Sequence, residues 1–232
     1  MSMTRYNSAL WEQIELSESY LVSSMLEEAT SLASLVIKQI CGRDFGGETL
    51  EDLEEFYGMM ESAGMVLVQS LSQLGRGPQI LNQLKENFVS AEIPVEVFHT
   101  AVCIQISEGS LIVAQEFIEE FLNKCRYVDG KYYVGAEPEL NVQKESNKRY
   151  ILEIDQYMAI VETYTLALLA TALKKVDLAI SWIEKAAMPA ENKQRQLLYG
   201  KKALTDLWQL AFSYQVNPLA VVQPLPPAPR GR

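Results

Sequence analysis

From Leu50 to Leu74 the chain steps by three and four residues between apolar or small side chains: Leu50, Leu53, Tyr57, Met60, Gly64, Leu67, Leu71 and Leu74. That spacing holds one stripe on one face of a long helix. Gly75-Arg76-Gly77-Pro78 then breaks it. Glycine suits the residue just past a helix end, and proline suits the first turn of the next helix, where a missing N–H costs nothing. Ile80, Leu81, Leu84 and Phe88 supply a second stripe. Two helices joined by so short a turn lie antiparallel, stripe to stripe, so the stretch predicts a helical hairpin. Gly64 weakens its helix by about 1 kcal/mol relative to alanine. Close approach of the partner helix is the expected reason for it.

The same spacing recurs along the chain. Leu10, Trp11 and Ile14 begin a helix that runs to about Tyr20. Ser24 and Glu27 have capping-box form ahead of a second helix with Met25, Ala29, Leu32, Val36 and Ile40 on one face, ended by Cys41-Gly42. Thr49 and Asp52 make a second capping box at the start of the long helix. Pro94 opens a fifth helix with Phe98, Ala101, Val102 and Gln105 inward, and Glu108-Gly109-Ser110 is a tight turn into Leu111, Ala114, Ile118, Phe121 and Cys125. Near 126–144 the pattern is interrupted. Asp129-Gly130 lies between Tyr127-Val128 and Lys131-Tyr132-Tyr133-Val134, which is a β-hairpin signal. A lone two-stranded hairpin is marginal in water, so an irregular loop packed on the helices is equally compatible. Helix returns from about Glu145 to Lys174, with Ile151, Ile154, Met158, Val161, Leu168 and Ala172 on one face. Leu178 to Ala187 and about Glu191 to Tyr214 are the last two helices. Residues 216–232 are proline-rich and read as a linker or tail after an α-helical domain over 1–215.

Serial helical hairpins call for a repeat test. Leu16-Ser17-Glu18-Ser19-Tyr20 matches the first-helix slot of a tetratricopeptide unit, with serine for glycine. Ala29, Ala33 and Val36, then Ala114, Ile118 and Phe121, then Ala179, Ile183 and Ala186 fill second-helix slots. The intervals are uneven. The expected fold is therefore all-α, a tetratricopeptide-like helical-hairpin solenoid of about nine helices with one irregular or β-hairpin insertion.

Chemistry is hard to find. A net charge of −10 argues against nucleic acid as a partner and against attachment to anionic lipid by net charge alone. Three cysteines with no short pairing, Cys41, Cys103 and Cys125, read as reduced thiols, the last two as small core hydrophobes. His99 is the single histidine and has no nucleophile motif beside it, so neither a zinc site nor a triad is assembled. No Walker loop, GxSxG or GxGxxG occurs. Glu48, Glu51, Asp52, Glu54 and Glu55 crowd the first turns of a helix, where the dipole favours negative charge. Glu116, Glu119 and Glu120 read as a solvated face, and Tyr132 and Tyr133 as cover for the core. No enzyme activity, cofactor or metal is expected. No stretch reaches the roughly 18 uninterrupted apolar residues of a membrane helix.

Four blocks carry a resemblance: Ala9 to Ile40, Met59 to Phe88 with ESAGMVLVQSL inside it, Cys103 to Leu122, and DLAISWIEKAAMP from Asp177 to Pro189. They resemble the plant family named for aberrant peroxisome morphology nine. The resemblance implies the role of a tail-anchored peroxin: a cytosolic helical region at the peroxisomal membrane. There it tethers the peroxin one/peroxin six AAA ATPases, which recycle the import receptor for matrix protein import. Family members carry a C-terminal membrane segment, whereas this chain stops at PLPPAPRGR, as a truncated soluble region or an unanchored form would. Glu51, Asp52, Glu54 and Glu55 are the candidate contacts for the N-terminal domain of peroxin six. The competing expectation is a generic helical-repeat adaptor for another protein or peptide.

Overall fold

A computed structural model describes residues 3–43, 50–88, 92–135, 150–199 and 202. The first six helices are α1 (Met3–Val22), α2 (Leu26–Cys41), α3 (Leu50–Gln73), α4 (Ile80–Asn87), α5 (Val95–Ser107) and α6 (Leu111–Lys124). They pair as three hairpins, and one device ends the first helix of each. Gly75 (φ +69°) and Gly109 (φ +79°) are left-handed. Arg76 N–H reaches back to Leu71 O, and Ser110 N–H to Gln105 O, at 2.9 and 3.0 Å. These are Schellman ends, in which glycine accepts the left-handed backbone at no steric cost. Ser24 plays the same part after α1: its φ is +59°, and Met25 N–H bonds Tyr20 O at 2.8 Å.

The expected Ser24–Glu27 capping box is therefore absent. The N-cap of α2 is Met25, without a side-chain cap bond, because Ser24 is spent closing the helix before it. A Cβ in this conformation costs about 1 kcal/mol, partly offset by the freedom glycine adds to the unfolded chain. Ser24→Gly is expected to raise the thermal midpoint by about 1–2 °C, measured by calorimetry. An unchanged or lower midpoint counts against a strained Ser24. The Thr49 capping box lies outside the described residues.

α3 is the axis of the stack, and more than one stripe of it is buried. Phe56, Met59, Ala63, Val66 and Val68 are buried along with Met60, Leu67 and Leu71, whereas Leu53, Tyr57 and Leu74 are only half-buried. The extra burial arises because α3 packs on α1 and α2 to one side and on α4 and α5 to the other. A Cβ on Gly64 meets the two methyls of Val97 in α5 at 2.8 and 3.0 Å and the Phe88 ring at 3.4 Å. The glycine thus admits α5, not only the partner within its own hairpin. α4 is as expected: a 3₁₀ turn, Gly77–Gln79, carries Pro78 at its start, and Ile80, Leu81, Leu84 and Phe88 are all buried.

α6 runs directly into β1 (Cys125–Val128), which pairs antiparallel with β2 (Lys131–Val134). Asp129 and Gly130 both have positive φ, +50° and +82°, giving the type I′ turn the sequence signals. A third strand, β3 (Tyr150–Leu152), pairs with β2 and gives a sheet ordered β1-β2-β3. The third strand and the helices behind it supply the support a lone hairpin lacks. Tyr132, Val134 and Leu152 point inward and are buried. The ring of Tyr132 stacks on Tyr157 at 3.7 Å, and its hydroxyl donates to Ala187 O at 3.1 Å.

The predicted helix from Glu145 starts later. Residues 136–149 lie outside the described set, and α7 begins at Ile154, capped by Glu153 and Gln156. Ile151, expected on the inward stripe, lies in β3 at 44% exposure. Beyond α7 (Ile154–Glu162) the helix widens into ten residues of π-helix, Thr163–Ala172. Buried triplets Thr163–Thr165 and Leu168–Ala170 there recur five residues apart. That is the period of i→i+5 bonding rather than the three-four step, so Ala172 is only half-buried. α8 (Val176–Lys185) and a ninth helix over 190–199, α9, follow. The rest of the predicted last helix and the 216–232 tail lie outside the described residues.

These segments form an all-α stack of hairpins carrying one small sheet. The first helices α1, α3, α5 and α7 with its π continuation touch in succession, and α2, α4 and α6 each touch the next first helix. Ala29, Ala33, Ala114, Ile118, Ala179 and Ile183, in the tetratricopeptide-like slots, are fully buried.

Candidate partner-binding surface

Charge is sorted by layer. In sequence the first helices α1, α3, α5 and α7–π carry a single Lys or Arg, Arg5, whereas the second helices each carry a lysine: Lys38, Lys85, Lys124 and Lys185. Glu12, Glu15, Glu18, Glu54, Glu61, Glu96 and Asp155 are exposed on the first-helix layer. On the second layer, Glu120 bonds Lys85 at 2.8 Å and Lys124 at 3.2 Å, and these lysines hold its carboxyl below the usual range. The second helices also carry exposed acids, among them Glu27, Glu28, Glu86 and Glu116, so both layers are acidic and the first-helix layer, nearly free of cations, is the more negative of the two.

The four candidate carboxylates do not act alike. Glu54 is exposed. Glu55 is half-buried and accepts Asn7 Nδ2 at 2.7 Å and Trp11 Nε1 at 3.1 Å. Asn7 itself is buried, and the Trp11 ring lies 4.0 Å from where a Gly58 Cβ would stand. Glu55 thus fastens α1 to α3. Asp52 is half-buried and engaged with a neighbour, and the side chain of Glu51 lies outside the described residues. The fastening was foreshadowed in sequence only by Asn7 and Trp11, one helical turn apart.

Other polar residues serve the packing. His99 Nε2 is 2.7 Å from Thr163 Oγ1, joining α5 to the start of the π-helix. Tyr164 donates to Glu119 Oε1 at 2.6 Å, and burial with that carboxylate beside it pushes the phenol up. Glu119 is thus a buried-side acceptor, whereas Glu116 is exposed. Tyr132 covers the core as expected, and Tyr133 is half-exposed on the outer face of the sheet.

All three cysteines are free. Burial pushes the Cys41 thiol up to about 11 and Cys125 up to about 12. Cys103, expected in the core, is exposed, because α5 turns it outward opposite Ala101, Val102 and Gln105. Burial of part of its side chain raises that thiol as well. Raised thiols are poor nucleophiles. Among the described residues no three His, Cys, Asp or Glu side chains gather where they could hold a metal, and no helix is long and apolar enough to cross a membrane.

A family model described as the APEM9 helical domain matches residues 93–208. Protein APEM9 of Arabidopsis thaliana is 44% identical over 189 residues, which is 80% of this chain and 56% of that relative. The chain spans just over half the length of the curated relative it matches. No solved structure matches.

Proposed function

Because the chain belongs to the APEM9 family, whose name ties it to peroxisome morphology, we propose that it is a non-enzymatic tether at the cytosolic face of the peroxisomal membrane. In this reading it recruits the peroxin one/peroxin six AAA ATPases through the N-terminal domain of peroxin six, and so supports receptor recycling and matrix protein import. The observation that carries the reading is the first-helix layer. Its exposed carboxylates stand on a rigid stack with almost no cations among them. Such a layer steers a basic protein surface, and its contribution falls with salt.

Glu55 must be left intact in any test, since reversing it removes the acceptor of Asn7 and Trp11 and loosens α1 from α3. Glu54→Lys, Glu61→Lys and Glu96→Lys all change exposed positions. Together they are expected to weaken binding of the purified peroxin six N-terminal domain by about tenfold or more, with unchanged circular dichroism. Unchanged affinity in a titration at low salt removes this surface from the contact. Absence of any binding by the parent chain removes the ATPase partner itself.

A further inference from the structure

The small sheet ends in an open edge. β1 pairs with β2 on one side only, and Arg126, Tyr127 and Val128 are all exposed, so no described element covers the other side. The two-residue turn at Asp129-Gly130 makes Val128 and Lys131 a hydrogen-bonded pair, and such pairs alternate with non-bonded ones along an antiparallel ladder. Arg126 therefore bonds Tyr133, while Tyr127 turns its N–H and C=O away from β2. Neither group meets another described backbone group. The Cys125 C=O lies on the same edge, and the Cys125 N–H already donates to Leu122 O.

Sheets protect such an edge with a proline, a bulge, a charge or a covering element. β1 has no proline, and its four pairs run without a bulge. Its one charge is Arg126. Partners across a ladder share a face, so Tyr127 lies with buried Tyr132 on the helix side, the two rings 4.8 Å apart. Arg126 and Val128 stand with Tyr133 on the outer face, where Val128 is 50% exposed.

We infer that β1 is a homotypic docking edge, at which the β1 strands of two copies of this chain pair antiparallel about a two-fold axis at Tyr127. In that register the two Tyr127 residues exchange both N–H···O=C bonds, and the open groups at the centre of each edge are satisfied together. Arg126 of each copy then stands opposite Val128 of the other. Asp129 stands opposite Cys125, between the Lys124 and Arg126 of the second copy. No two like charges face each other directly, in spite of the net charge of −10. A parallel pairing in register would instead set Arg126 against Arg126, which is unfavourable. The two-fold contact consumes the β1 edge of both copies, so association stops at a dimer. An edge this short buries less than the roughly 1,000 Å² of a stable interface, so the dimer is weak and concentration-dependent. The inference is independent of ATPase recruitment, which concerns the first-helix layer.

Sedimentation velocity of the 232-residue chain, from low micromolar to about 1 mM, tests it. Monomer is expected at the low end and dimer at the high end. Tyr127→Pro removes an N–H that lies outside the β1–β2 ladder, as proline on an edge strand allows. It should raise the dimer dissociation constant by about tenfold or more. Val128→Lys, opposite Arg126 of the second copy, should raise it several-fold, whereas Val128→Glu should lower it. Ile112→Lys, at the far end of α6 and 71% exposed, should leave it unchanged. Circular dichroism checks that each variant is folded. A chain that stays monomeric throughout overturns the inference. So does a dimer that Tyr127→Pro leaves intact, or one that Val128→Lys and Val128→Glu shift in the same direction.

Discussion

Tyr132→Ala is expected to destabilise the chain by about 4 kcal/mol, the range for deleting a buried aromatic ring. Tyr132 is 1% exposed although it stands on a short strand, because β2 is the middle strand and turns this side chain toward the helices. Its loss removes the stack on Tyr157 and leaves the Ala187 carbonyl without its donor. Burial also pushes the phenol above its ordinary range, so the hydroxyl remains a donor across the physiological pH span. Tyr132→Phe separates the two contributions. It keeps the ring, loses one neutral hydrogen bond and should cost about 1 kcal/mol. Denaturant midpoints measure both. If the alanine variant costs no more than the phenylalanine variant, the sheet is an ornament on the helices rather than part of their core.

The second large effect belongs to Gly64. An alanine there gains about 1 kcal/mol of helix propensity, yet its methyl lands 2.8 Å from a Val97 methyl carbon that is itself fully buried. Overpacking of this kind costs about 1–3 kcal/mol, so Gly64→Ala should be neutral to mildly destabilising. Gly64→Leu, which must push α5 away from α3, should cost about 3 kcal/mol or more. The diagnostic is a double-mutant cycle with Val97→Ala. If Val97 is the obstacle, the pair couples favourably by about 1 kcal/mol or more. Strict additivity of the two single changes places the obstacle elsewhere.

Gly64 also shows how far the fold was legible in sequence. The glycine inside an apolar stripe announced a close approach, because a single chain pattern exposes a missing side chain directly. The identity of the approaching helix depends on how hairpins stack, and three-four spacing within α3 says nothing about α5. The hairpin turns were readable from Gly75 and Gly109, whereas the turn at Ser24 was not. A serine before an acidic turn has the composition of an N-cap, and only the backbone shows it closing α1 instead. The Asp129-Gly130 turn was legible for the same local reason as the glycines. β3 was not, since its partner β2 lies many residues earlier and the intervening run has no periodicity to carry the register.

The candidate surface was legible as charge but not as geometry. Sequence marked Glu51 to Glu55 as an acidic first turn, and could not separate Glu54, which faces solvent, from Glu55, which holds Asn7 and Trp11. One residue along a helix is a rotation of roughly 100°, enough to turn a surface charge into a structural acceptor. The sorting of cations onto second helices was present in the composition of each segment, but becomes meaningful only when the first helices are seen to touch in succession.

The π-helix has a consequence for length. Every i→i+5 turn spends one residue more than an α turn to cover the same part of the axis. Thr163–Ala172 therefore holds slack that the rest of the stack lacks. Removing one residue from this segment, and tightening one wide turn to an α turn, leaves Thr163 and Leu173 near their present stations. The same excision from α2, where Ala29, Ala33, Val36, Ile37 and Ile40 are fully buried, rotates the whole downstream face out of register. In the arithmetic of codons, the first helix of the fourth hairpin is where this architecture tolerates a change of one.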